Sequence, residues 1–75
     1  MSREPTDIAA EVRTLLDALA NSTDPIAFET LLGLSRYVGE CLGTSARTLA
    51  DAQSWSSVAG LAGTTKQAAW SRWRH

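Results

Sequence analysis

Side chains able to do chemistry are sparse in this 75-residue chain. One cysteine, Cys41, and one histidine, His75, exclude an internal disulfide framework and leave a closed zinc site short of ligands. No carboxylate pair, nucleophile–base arrangement or phosphate-cradling loop stands out, and Gly33, Gly39 and Gly43 follow no strand. The expectation is a protein that is not an enzyme and carries neither metal nor cofactor. The informative string is SWSSVAGLAGTTKQAAWSRW, residues 54–73. It meets the needs of a helix-turn-helix. Ala59 and Ala69 are small enough for two helices to cross closely, and Gly63 can take the positive φ of the turn. Trp73 follows Ala69 by four and shares its face.

Charge changes over the same stretch. Residues 1–53 hold all eight acids (Glu4, Asp7, Glu11, Asp17, Asp24, Glu29, Glu40, Asp51) against Arg3, Arg13, Arg36 and Arg47, a net of −4. Residues 54–75 hold no acid and three bases, Lys66, Arg72 and Arg74, a net of +3. An acidic body joined to a basic end suggests a polyanion-binding end on a body with another task.

These residues need elements to position them, and the chain reads as helical throughout. In residues 6–20, Ile8, Val12, Leu15, Leu16 and Leu19 recur at spacings of three and four, one apolar stripe with Thr6 or Asp7 as its cap. Residues 21–24 are a polar break. Asp24-Pro25 starts a second helix, aspartate as N-cap and proline at the first helical position. Its stripe (Phe28, Leu31, Leu32, Leu34, Val38, Cys41, Leu42, Leu49) stays in register across Gly43, which favours one long helix over 25–52 against a break at Gly43 with Thr44 or Ser45 capping a new helix. Gly39 and Gly43 mark either a packing seam or local tolerance. Ser54 caps a short helix over 55–62, Gly63 ends it, and Thr65 caps a last helix over 66–74. The expected fold is all-α, a single domain over 1–75: a helical hairpin with a long central helix, then a C-terminal helix-turn-helix. Residues 6–53 would support and dimerise it.

The string 54–73 resembles the small helix-turn-helix proteins of actinobacteria and their phages, whose motif is akin to sigma-factor region 4. Ser54, Trp55, Gly63, Lys66, Gln67, Ala68, Ala69, Trp70, Arg72 and Trp73 match that pattern, with Val58 and Thr65 as conservative replacements. The resemblance covers about a quarter of the chain. Ser57, Ala62 and Thr64 depart from it. Ser57 weakens the capping box, Ala62 thins the core under the turn, and Thr64 brings a hydroxyl to a half-buried site. The resemblance implies that the last helix enters the major groove of duplex DNA. Ala68, Ala69 and Trp73 would then face inward, and Lys66, Gln67, Trp70, Ser71 and Arg74 outward. Gln67 can pair with adenine, and Lys66 can reach guanine or a phosphate. Thr65 and Arg74 suit phosphates. Trp70 either meets thymine methyls or packs in the core. Arg72 bridges to an acid of the front half, Trp55 is a core residue, and Cys41 is a small buried one.

Of 33 hydrophobic residues, 12 are alanine, so the core is diluted. Pairing of two copies with Leu34, Val38 and Leu42 at the seam would bury the surplus stripe and present two recognition helices. The leading expectation is a homodimeric, DNA-binding transcriptional regulator of a phage, plasmid or bacterial host. The alternative is a protein-interaction module (antitoxin, RNA polymerase adaptor or inhibitor) working through its acidic front. The absence of a signal segment or an apolar span near ~20 residues points to the cytoplasm and to no membrane.

Overall fold

In a computed structural model, residues 3–75 are described. They are all-α, as the sequence predicts: α1 Pro5–Ala20, α2 Pro25–Ala52, α3 Trp55–Ala62 and α4 Lys66–Trp73, with no strand among the described residues. Two compact units divide the chain, one up to Arg36 and one from Tyr37 to His75. The division falls inside α2 rather than after residue 53. The second half of the long helix therefore belongs with the helix-turn-helix.

In the first unit, α1 begins two or three residues earlier than a Thr6 or Asp7 cap would place it. Glu4 occupies the cap position without a side-chain hydrogen bond, and Pro5 stands at the start of the helix. Proline sets the first helical φ and has no N–H to leave unpaired, so the turn needs no hydroxyl. Asp7 lies in the first turn, where the helix dipole favours an acid. At the other end Asn21 donates from Nδ2 to the Asp17 carbonyl at 2.8 Å. Asp24 caps α2 as expected, its Oδ1 accepting from the Ile26 N–H at 2.9 Å. None of the α1 residues is buried, and Ala27 is the buried residue among those described in this unit.

The second unit has a true core. Ala46, Val58, Ala59 and Ala69 form its centre, with Leu49, Ala50, Trp55 and Trp73 packed around them. α2 runs unbroken through Gly43 to Ala52. Ser54 accepts from the Ser57 N–H at 3.1 Å, and the two serine hydroxyls lie 3.2 Å apart. Ser57 thus reaches the cap's side chain rather than its backbone N–H, which is as far as so short a residue extends. Gly63 closes α3 at φ 68°, ψ 36°, and the Thr64 N–H returns to the Ala59 carbonyl at 3.0 Å.

Three expected placements need correction. Cys41 is exposed, because it sits beside Tyr37 and Thr44, turned away from the side of α2 that carries Ala46, Leu49 and Ala50 into the core. A hydrogen bond with Cys41, followed by the charge of Cys41, raises the Tyr37 phenol above its usual range. Thr64 is exposed rather than half-buried, since the turn lifts it off the core. Ala68 also faces solvent: it is ~100° from Ala69 around the helix, and only Ala69 reaches the centre. The small Ala62 does thin this region. An apolar groove of about 220 Å³ opens there, and Trp73 lines it together with Leu42, Leu49, Val58 and Leu61 rather than filling it.

The two tryptophans of α4 should therefore differ in stability. Trp73→Ala removes a wall of the core and should lower the unfolding free energy by about 3 kcal/mol, the lower end for a large-to-small core change because the groove leaves it partly open. Trp70→Ala should cost under ~1 kcal/mol. Urea unfolding followed by circular dichroism compares them, and a larger loss at Trp70 would mean that the register of α4 is wrong.

Candidate nucleic-acid interface

The short α4 is held at both ends. At its start the Thr65 hydroxyl accepts from the Ala68 N–H at 3.1 Å. In the middle Ala69, 1% exposed, is the most deeply buried residue of the core. With Ala69 inside, Lys66, Trp70, Arg74, Gln67 and Ser71 fall in one outward arc, about 60° to 200° from it around the helix. All five, and Thr65, are exposed. Lys66, Gln67 and Trp70 line one open, shallow depression. Arg74 lies back over Trp70, its guanidinium carbon 4.2 Å from the ring centroid. Its Nε donates to His75 Nε2 at 3.2 Å.

Arg72 behaves differently from the sequence expectation. Its guanidinium lies over its neighbour Trp73, 5.1 Å from the ring centroid. The ion pair among the described residues is Arg3–Glu11, and Arg72 bridges to no acid there. On α4, Arg72 points away from the outward arc, so it covers Trp73 instead of extending the basic face.

Sequence reasoning missed Arg47. This half-buried side chain on α2 donates from Nη1 to the backbone carbonyls of Trp73, at 3.0 Å, and of His75, and Nη2 is 3.5 Å from the Thr44 hydroxyl. Carbonyls at a helix end lack intrahelical partners and carry the negative end of the dipole, so a cation there is favourable twice over. The guanidinium reaches this place across the face of Gly43, where an added Cβ would sit 3.3 Å from Nη1. Gly43 is thus a site of close approach. Gly33 and Gly39 have open space around them. The one sequence signal for Arg47 was a glycine four residues before it, inside a helix that otherwise had no use for one.

No protein-family model, curated protein or solved structure matches the chain. The site therefore rests on its own geometry. Among the described residues no group of three or more His, Cys, Asp or Glu could hold a metal ion, and no helix is long and apolar enough to cross a membrane. The outward arc offers hydrogen-bond donors, two cations, Lys66 and Arg74, and one exposed aromatic ring, Trp70.

Arg47→Ala leaves the Trp73 and His75 carbonyls without their charged donor. It should lower stability by about 1.5–3 kcal/mol. Arg47→Lys should recover little, because one ammonium cannot reproduce the forked contact. Thermal melts of the two variants check this. Full rescue by lysine would reduce Arg47 to a simple charge.

Proposed function

We propose that the chain is a small homodimeric DNA-binding protein, a transcriptional regulator that reads duplex DNA through α4. The observation that carries this reading is the coincidence on α4 of a buried Ala69 with an outward arc of Lys66, Gln67, Trp70, Ser71 and Arg74. A helix mounted so that its working residues are free suits insertion into a major groove. In this reading Gln67 and Lys66 reach base edges or phosphates, and Thr65 and Ser71 contact the backbone. It has no part for a catalytic group, metal or cofactor, and it sets the protein at work in the cytoplasm.

Two copies are part of the proposal. One short helix makes about three phosphate contacts, too few for tight binding at ordinary salt, whereas two double the number. Val38 is 56% exposed and Leu42 49%, and Leu34 is half-buried, so the proposed seam still has apolar surface to bury. One other observation favours the second reading, a protein-interaction module. Leu15 (62% exposed), Ile26 and Phe28 leave the acidic front with apolar surface of its own. Loss of binding to heparin and duplex DNA as salt rises supports the first reading. Indifference to both, with a tight protein partner, supports the second.

For a dimer with about three phosphate contacts per copy, log K against log salt should fall with a slope near −5. Lys66→Ala should reduce that slope by about one per half-site if it holds a phosphate, and Gln67→Ala should relax preference at one base position at a cost of ~1–3 kcal/mol. Equal binding by the double variant in fluorescence anisotropy would remove α4 from the reading. Val38→Asp should dissociate the dimer in light scattering at tens of micromolar (about that range suffices for a weak pair). A folded dimer of unchanged stability would place the seam elsewhere.

A further inference from the structure

The stacked pair on α4 has a geometry that goes beyond general attraction for DNA. Arg74 lies one turn after Trp70, and side chains on a helix tilt toward its N-terminus. The guanidinium is accordingly drawn back over the indole, toward the half of the helix that carries Lys66 and Gln67. It is not a free cation. One face rests on the ring, and Nε is taken by His75 Nε2. The two Nη groups remain, and they make no hydrogen bond among the described residues.

The guanidinium carbon stands over the ring, 4.2 Å from its centroid, near the spacing of neighbouring bases in one strand, about 3.4 Å. A guanidinium that donates two hydrogen bonds to guanine O6 and N7 lies in the plane of that base. When Arg74 does so, the indole of Trp70 is level with the next base pair. The edge it presents is apolar and fits one feature of the major groove, the C5-methyl of thymine. A cytosine there would offer an amino group that the indole carbon edge cannot accept from.

We propose that Trp70 and Arg74 act as one reader of a guanine stacked on a thymine in the same strand, with Arg74 on guanine N7 and O6 and Trp70 against the thymine methyl. This rests on the DNA-binding reading above and sharpens it, moving Arg74 from a phosphate to a base. The stack makes the recognition pre-organised. An arginine held against the ring and His75 has less side-chain freedom to lose on binding than an unattached one.

The test uses the full chain and chemically altered DNA, so that it does not depend on any variant folding. Binding sites are selected from duplexes with a random central segment. The expected result is enrichment of sites with thymine beside guanine. Replacing that thymine with uracil removes only the methyl and should weaken binding about fourfold, the value of one buried methyl-sized group. Replacing the guanine with 7-deazaguanine removes N7 and should weaken it about fivefold or more. In Trp70→Ala, shown to be folded by circular dichroism, the uracil effect should vanish and the 7-deazaguanine effect should persist. Selected sites lacking the step, or equal binding of thymine and uracil, overturn the proposal and leave DNA binding standing. Retention of no duplex at any salt overturns both.

Discussion

The close crossing of α3 and α4 is the constraint on which the remainder of the second unit depends. Two helices joined by so short a turn must approach within the width of a methyl group where they meet. Alanine therefore stands at the centre, at Ala59 and at the almost fully buried Ala69. The turn needs a residue in the left-handed region, supplied by Gly63 at φ 68°. Once Ala69 is inside, the angular order of the helix leaves no choice about which α4 residues face outward. Arg47 then fixes the far end, binding the carbonyls that α4 leaves open. This eight-residue helix is held at both its ends and its middle.

The same economy makes the core small. Its buried hydrophobic residues are three alanines (Ala46, Ala59 and Ala69) and Val58, and each alanine methyl removes little surface from water. Larger side chains line the groove and the helix faces instead. Leu61 is 80% exposed and Phe28 67%. Apolar surface left open to this degree is what the proposed pairing of two copies would bury.

Helix ends were the most legible part of the sequence. Asp24, Ser54 and Thr65 each satisfy backbone donors within three residues of themselves, so their roles are local and can be read from spacing. Gly63 is legible for the same reason. The outward arc of α4 followed from one correctly placed inward residue. Illegible were features that depend on distant partners. Arg47 reaches 26 residues along the chain to Trp73. The exposure of Cys41 and Ala68 depends on which side of a helix meets the core, and a neighbouring position on the same turn looks equally apolar in sequence. At α1, proline made a hydroxyl cap unnecessary, which a search for capping side chains overlooks. The stack of Arg74 on Trp70 was within reach, being an i, i+4 pair, but the pairing of a cation with a ring is weaker as a sequence signal than a ladder of leucines.

The separation between local and distant contacts also bears on how the unit forms. The crossing of α3 and α4 joins residues close in sequence, and topologies dominated by such contacts fold rapidly. The Arg47 contact closes a much longer segment, and its entropic cost grows only as the logarithm of loop length. Once α3 and α4 have crossed and met Ala46, most of that loop is already closed, so the arginine settles at little further cost. Seating of α4 is then a late, inexpensive step. Loss of the latch would be felt mainly as faster opening of α4, while the rate at which the two helices first come together stays nearly the same.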